Sequence, residues 1–151
     1  MNFPSRTSFL MLMTLGFFLS IFATNVMGEN LIEYREYKGA VYYYDKDSVK
    51  RKLGIVTVLT KTRYYGKNKE WGDLVDVCIA HSKLNSINDC NRLSSVENLH
   101  EINCKEDTER SLSSIDYDED GRVLYLTSTP SELTYIVPNS IIEELKNRVC
   151  E

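Results

Sequence analysis

The sequence predicts an α+β fold, in which a single antiparallel β-sheet of about six strands carries one C-terminal α-helix packed on it and is stapled by disulfide bonds. Several short stretches alternate apolar and polar residues or are rich in β-branched and aromatic residues, with turn residues between them. One amphipathic segment closes the chain, which also contains four cysteines. An antiparallel sheet of this kind can bury one face beneath a helix.

Composition places the chain among small globular domains and excludes several classes of protein. At 17.5 kDa the chain is too short for a barrel enzyme or a two-lobed dinucleotide-binding enzyme. Hydrophobic residues make up 42% of the 151 residues and charged residues 26%, as is ordinary for a folded domain. The formal net charge is −4, and dedicated nucleic-acid binders are usually basic, so we expect no nucleic-acid partner.

The first 28 residues have the pattern of an export signal. Arg6 is their only charged residue, and an almost entirely apolar run, FLMLMTLGFFLSIFA, extends from Phe9 to Ala23. We therefore expect a signal peptide at residues 1–28, cleaved after Gly28 or after Ala23, and a domain at residues 29–151. An uncleaved anchor is the alternative, although the run is shorter than the ~20 apolar residues of a spanning helix. The expected product is periplasmic or secreted, with no stable membrane anchor after cleavage.

Export would place the four cysteines in a compartment where disulfide bonds form and persist. Four cysteines allow three pairings. We favour Cys104 with Cys150, which would pin the C-terminal helix to a strand, and Cys78 with Cys90, which would close a short local loop. A metal site is the alternative, since Cys78 and His81 form a C-x-x-H fragment that Cys90 could join. No fourth ligand stands at a suitable spacing for zinc, so we expect none.

The chain after the signal begins with strands. Gly39 is a turn signal between Leu31–Tyr37 and Ala40–Tyr44, which together predict a hairpin. A polar turn follows at residues 45–50, with Asp45 or Asp47 as its cap, and Leu53-Gly54 ends it. The strongest strand is Ile55–Tyr65, whose residues 56, 58, 60, 62 and 64 share one face.

Residues 66–95 have a different character. The polar stretch GKNKEWGDL is typical of a loop and the residues after it are ambiguous, so we interpret the segment as an insertion loop stapled by its own cysteine pair. Asp120-Gly121 is a strong signal for a hairpin turn. The strands predicted around that turn are Val96–Cys104, Arg110–Tyr117, Val123–Thr127 and a short edge strand at Leu133–Val137.

The last segment predicts the C-terminal helix. Ser140 and Glu143 fit a capping box. Ile141, Leu145 and Val149 follow at i, i+4 and i+8 and form one apolar stripe.

An acidic segment resembles the start of a calcium-binding loop. Asp116, Asp118 and Asp120 have the spacing of the first ligands, and Gly121 follows them. The twelfth position is Thr127, where a calcium loop has a bidentate Glu. An acidic hairpin turn is therefore favoured over a weak calcium site.

The two histidines could act as general acid and base of a small secreted hydrolase or nuclease. This requires His81 and His100 to meet in one cleft. Because no nucleophile motif or phosphate-binding loop accompanies them, we expect no catalytic residues and no cofactor.

Positive charge is concentrated in residues 46–69. The candidate binding residues there are Lys50, Arg51, Lys52, Lys61 and Arg63. Such a patch suits an acidic partner, either a protein segment or an acidic matrix ligand such as a glycosaminoglycan. Solvated strand faces and turns are the alternative explanation.

The order of short motifs resembles the surface-adhesin protein E family of bacterial exported proteins. The resemblance covers roughly residues 33–151. The residues that carry it are Tyr44–Arg51 (YDKDSVKR), the Val-rich strand Ile55–Leu59, Glu101–Cys104 (EINC), Glu109–Leu112 (ERSL), Ile136–Ser140 (IVPNS) and Val149-Cys150. The resemblance implies an antiparallel sheet with a C-terminal helix, a bond between Cys104 and Cys150, and no catalytic residues. The segment at 66–95 looks extra, and Tyr135 stands where the family commonly has Trp.

The resemblance also implies a role at the bacterial envelope. It suggests a small binding protein and, in some members, attachment to host matrix proteins and self-association as a homodimer. We therefore expect a small exported, non-enzymatic binding protein of the bacterial envelope, adhesin-like in function. The alternatives are a periplasmic inhibitor or accessory factor that engages an envelope protein through residues 66–95, and a small secreted hydrolase.

Overall fold

The computed structural model describes residues 30–81 and 87–151. The predicted signal peptide at residues 1–28 lies outside the described residues. The helices are α1 (Lys69–His81), α2 (Ile87–Cys90) and α3 (Ile141–Val149), and a short 3₁₀ helix spans Lys46–Ser48. The strands are β1 (Leu31–Tyr37), β2 (Ala40–Asp45), β3 (Lys50–Lys52), β4 (Ile55–Tyr64), β5 (Leu93–Asn103), β6 (Thr108–Asp118), β7 (Val123–Thr127) and β8 (Thr134–Tyr135).

These strands form one antiparallel sheet, which confirms the predicted fold class. Its long strands follow the order β1-β2-β4-β5-β6-β7, while β3 pairs with β4 and β8 pairs with β6. β3 was not predicted, because Lys50–Lys52 has no apolar alternation to indicate a strand. β8 was predicted as Leu133–Val137 but is shorter. β5 and β6 begin two or three residues earlier than expected.

The alternation along β4 places one face of the sheet against α3. Val56, Val58, Thr60 and Thr62 are buried, as the predicted strand face requires. α3 begins where expected, because the Ser140 hydroxyl accepts a hydrogen bond from the Glu143 N–H at 3.1 Å. The core beneath α3 consists of Tyr34, Ala40, Tyr42, Val56, Val58, Ile102, Leu145 and Val149.

A second cluster lies on the same face under α1. Its buried members are Val75, Cys78, Cys90, Leu93, Val96 and Leu124, with Tyr64, Trp71 and Leu74 packed around them. We call this side of the sheet the helix-covered face, and the opposite side, to which Leu59, Lys61 and Arg63 point by alternation, the open face.

The interpretation of residues 66–95 as a loop was wrong, because most of the described part of the segment is helical. The Asn68 side chain accepts a hydrogen bond from the Trp71 N–H at 2.7 Å and caps α1. Trp71, Leu74, Val75 and Cys78 then follow at i, i+3, i+4 and i+7 and face the sheet. The intervening Gly and Asp residues obscured this spacing.

Both disulfide bonds pair as favoured. Cys104 joins Cys150 across a sequence separation of 46 residues, and Cys78 joins Cys90 across 12. The first bond ties the end of α3 to the end of β5, and the second ties α1 to α2. Each helix that covers the sheet is therefore held by its own covalent link.

Replacing both Cys104 and Cys150 by alanine is expected to lower the free energy of unfolding by about 4 kcal/mol, because the bond closes a loop of 46 residues. The same replacement of Cys78 and Cys90 should lower it by about 3 kcal/mol, since that loop spans 12 residues. Urea unfolding followed by circular dichroism measures both losses. A larger loss for the Cys78–Cys90 pair would contradict the assignment of Cys104–Cys150 as the main covalent constraint.

Candidate functional site

The five basic candidates do not form one patch. Arg51 lies opposite Val56 in the β3–β4 register, and its Nε donates to the Val149 carbonyl at 3.1 Å, at the end of α3. Lys61 is on the open face, where its Nζ lies 2.9 Å from a carboxylate oxygen of Glu97. Arg51 and Lys61 therefore make contacts within the fold and stabilise it.

The remaining candidates face solvent. Lys50 and Lys52 lie opposite Thr57 and Ile55, which puts them on the open side of β3, and every residue of this strand is exposed. Arg63 stands farther along β4, with its guanidinium carbon 5.5 Å from the centre of the Tyr43 ring. Among the residues that the structure describes, none of these three cations is paired with a carboxylate.

A strained turn joins the two lysines to β4. Residues 50–55, which we call the basic hairpin, turn at Leu53 and Gly54, and both have positive φ (53° and 84°). Glycine adopts this conformation freely, whereas a leucine there is uncommon and strained. The Leu53 side chain is 90% exposed. An apolar side chain therefore projects into solvent from a tip flanked by positive charge.

The tip of the basic hairpin is fixed to the rest of the fold. The Gly54 carbonyl accepts a hydrogen bond from the Cys104 N–H at 3.0 Å. The stem of Lys105 lies against Gly54, where an added Cβ would be 3.3 Å from Lys105 Cε. The exposed leucine is thus held beside the disulfide that anchors α3, and Lys105 adds a further cation to this corner.

The two histidines do not meet. His81 ends α1, and its ring centre lies 5.5 Å from that of Tyr125 on β7. His100 lies on β5 opposite Val58, with Nδ1 3.3 Å from Glu109 Oε2. From strand spacing and rise, His100 and Tyr125 are roughly 17 Å apart. The acid–base pair considered from the sequence is therefore wrong.

The three aspartates of the acidic turn have different partners in the structure. Asp118 accepts hydrogen bonds from the Arg122 guanidinium (2.8 Å) and from the N–H groups of Asp120 and Arg122, while Asp120 pairs with Arg92 at 2.7 Å. Burial opposes ionisation of Asp118, but these hydrogen bonds and the Arg122 charge lower its pKa. Within residues 30–81 and 87–151, no group of three His, Cys, Asp or Glu side chains could hold a metal ion.

Asp116 is the unusual member of this set. It lies on the helix-covered face opposite Val96 and Tyr125 and is 1% exposed. Neither carboxylate oxygen has a hydrogen-bond partner in the described part of the chain. Burial raises the pKa of Asp116 to about 6.

A cleft of about 380 Å³ opens on the helix-covered face between the N-terminal ends of α1 and α3, and we call it the inter-helix cleft. Tyr34, Thr62, Asn98 and His100 line its floor. At its edge, Glu70 accepts hydrogen bonds from the hydroxyls of Tyr42 (2.7 Å) and Tyr64 (2.8 Å). Sequence reasoning did not find this site, because its residues come from β1, β2, β4, β5, α1 and α3.

Comparison with known families identifies the chain. The family model of surface-adhesin protein E matches residues 31–151. The chain belongs to the surface-adhesin protein E family. This is a family of bacterial surface adhesins, and the match confirms the resemblance found in the sequence motifs.

Solved structures of the family's namesake are similar to this chain. Crystal form II of Haemophilus influenzae protein E has a TM-score of 0.49 and 14% sequence identity, covering 78% of this chain and 91% of that chain. Protein E from non-typeable Haemophilus influenzae has a TM-score of 0.46 and 16% identity, covering 84% of this chain and 78% of that chain. No curated protein matches the sequence significantly. No helix in the described ranges is long and apolar enough to cross a membrane.

The motifs that identified the family have structural tasks in this chain. Asp45 accepts a hydrogen bond from the Asp47 N–H at 2.9 Å and caps the 3₁₀ helix, and the Ser48 hydroxyl accepts one from the Leu59 N–H at 2.9 Å. Glu101 pairs with Arg110 at 2.7 Å across β5 and β6. These residues of the family motifs therefore help to build the sheet and its turns.

Replacing Asp116 by Asn is expected to remove a pH-dependent loss of stability. Because the folded pKa of about 6 exceeds the ordinary value of 3.8, stability falls as pH rises from about 4 to about 6, by at most about 3 kcal/mol. Urea unfolding of the unsubstituted protein and of Asp116→Asn between pH 4 and pH 7 gives the free energy of unfolding of each. The difference between the two free energies removes the contribution of the other carboxylates. A difference that stays constant with pH would contradict the buried, unpartnered carboxylate.

Proposed function

We propose that the chain is an exported, non-enzymatic, adhesin-like binding protein of the bacterial envelope that contacts an acidic protein of the host matrix through the basic hairpin. Membership in an adhesin family supports the general role. The observation that carries the proposal is Leu53, 90% exposed on a strained turn between exposed lysines and Lys105.

The energetics of Leu53 favour a role in binding. A non-glycine residue in the left-handed region costs about 1 kcal/mol, and a fully exposed leucine returns no packing energy to the fold. Strain that the fold does not need is typical of functional sites. A partner that covers Leu53 would recover the burial energy of its side chain.

The surrounding charge defines the chemistry of the partner. Lys50, Lys52 and Lys105 surround the tip, whereas the open face beyond it carries internally paired charges such as Lys61–Glu97 and Arg110–Glu101. A cationic corner on an acidic protein attracts an acidic surface and repels a basic one. Because the hairpin is held by Cys104 and Lys105, little ordering is needed on binding.

The double substitution Lys50→Gln with Lys52→Gln is expected to weaken binding to solubilised host matrix protein roughly tenfold, because two cations leave the contact surface. Biolayer interferometry with the cleaved, oxidised protein measures the affinity, and binding by the unsubstituted protein should fall as salt is raised. Lys67→Gln with Lys69→Gln gives the same change in net charge near α1 and serves as the control. Equal effects of the two double variants would show that net charge alone, and not the basic hairpin, governs binding.

The substitution Leu53→Asn is expected to have opposite effects on stability and binding. Asparagine tolerates positive φ, so the free energy of unfolding should rise by about 1 kcal/mol. Binding to matrix protein should weaken several-fold, whereas binding to heparin, which depends on charge, should stay unchanged. Thermal unfolding and the same interferometry assay measure these effects. Unchanged binding to matrix protein would remove Leu53 from the proposed contact.

A second candidate function is that of a periplasmic inhibitor or accessory factor that acts through residues 66–95. The exposed side of α1 favours it, since Val77 and Ile79 are 39% and 37% exposed there. A partner from the same cell's envelope would then bind the basic-hairpin variants normally. It would lose affinity when Cys78 and Cys90 are replaced, because that bond ties α1 to α2.

A further inference from the structure

The floor of the inter-helix cleft follows directly from the inward residues of β4. Val56 and Val58 lie under α3, and Tyr64 packs with the cluster under α1. Between them, Thr60 and Thr62 face inward where neither helix covers the sheet, and both line the cleft. The polar residues of β4 on this face therefore lie where the sheet is left uncovered between the two helices.

Several polar groups at the cleft lack protein partners. Tyr34 is 7% exposed and Thr62 is also 7% exposed. Within the described residues, no hydrogen bond involves the Tyr34 hydroxyl, the Thr62 hydroxyl or the Asn98 side-chain amide. His100 uses Nδ1 toward Glu109, and no described residue bonds its Nε2. These polar atoms are not among the fully buried unpartnered atoms of the described residues, so they open into the cleft, where they can bond a polar ligand or water.

The charge at the cleft restricts the ligand further. In the described part of the chain, the one charged residue that lines the cleft is Glu70, whose carboxylate already accepts hydrogen bonds from the hydroxyls of Tyr42 and Tyr64. Among the described residues no Lys or Arg lines the cleft, so no cation of residues 30–81 or 87–151 compensates a phosphate or carboxylate there. Ile141 and Ile142 of α3 add an apolar wall. The volume of about 380 Å³ lies within the range of small-molecule sites.

We propose that the inter-helix cleft binds an uncharged, hydroxyl-rich ligand, a hexopyranose sugar. Hydroxyls, an amide and an imidazole offer closely spaced donors and acceptors, as the hydroxyl groups of a sugar require. The apolar wall suits the C–H face of the ring. This site lies on the opposite face of the sheet from Lys50 and Lys52 and is independent of the proposed adhesive contact.

Titration of ¹⁵N-labelled protein with four uncharged probes tests the proposal: methyl glucoside, methyl galactoside, methyl mannoside and N-acetylglucosamine. At least one is expected to shift the amide signals around Thr62 and Asn98, with millimolar affinity. Tyr34→Phe and Thr62→Val each remove one hydroxyl with little change in shape and should weaken binding about fivefold. Glucuronic acid and glucose 6-phosphate, which carry negative charge, should bind at least about threefold more weakly than the best uncharged probe.

The controls are matched substitutions on the open face, Tyr43→Phe and Thr57→Val, which should leave sugar binding unchanged. Thermal unfolding of every variant confirms that the fold is retained. The proposal is overturned if no uncharged probe binds at about 50 mM, if charged sugars bind as well, or if the control substitutions weaken binding equally. The Lys50→Gln and Lys52→Gln variant should bind sugar normally, which separates this site from the proposed function.

Discussion

The structure depends on the attachment of α3 to the sheet by the Cys104–Cys150 bond. A sheet with one apolar face is stable only when that face is covered, and a helix of nine residues is too short to persist alone. The bond holds α3 over Val56, Val58 and Ile102, so that Leu145 and Val149 become fully buried. The Cys104 N–H also bonds to the Gly54 carbonyl, and the same residue therefore fixes both the helix and the basic hairpin.

The lengths of the two covering helices determine what remains open on that face. Nine residues of α3 extend roughly 14 Å and thirteen of α1 roughly 20 Å, while strands of ten or eleven residues extend roughly 35 Å. Since α3 is tied to Cys104 and α1 is tied through Cys78 to α2, the helices are held over different parts of the sheet. The inter-helix cleft is the uncovered area between them, and β4 changes there from valine to threonine.

Much of the sheet could be predicted from the sequence because alternation is a local signal. β1, β2, β4 and β7 begin where expected, and the capping box at Ser140 located α3. α1 was missed because polar residues between Trp71 and Cys78 outweighed their helical spacing. β3 was not predicted as a strand, so the alternation that separates Arg51 from Lys50 and Lys52 was missed. The pairing register that places His100 far from Tyr125 and His81 could not be predicted. The inter-helix cleft joins residues from six elements, which no local pattern connects.

Positive φ at Leu53 differs from the other three cases among the non-glycine residues described. Asn139 is of a type that tolerates the conformation, Asp107 pairs with Lys146, and Lys38 lies 5.0 Å from the centre of the Tyr37 ring. Leu53 has no comparable compensation, since its side chain is 90% exposed. The Cys104–Cys150 bond contributes about 4 kcal/mol, several times the strain of one such residue, so the fold tolerates Leu53. Tolerance alone does not explain a leucine where Asn or Gly would be unstrained, whereas the proposed partner, by burying the exposed tip, would explain it.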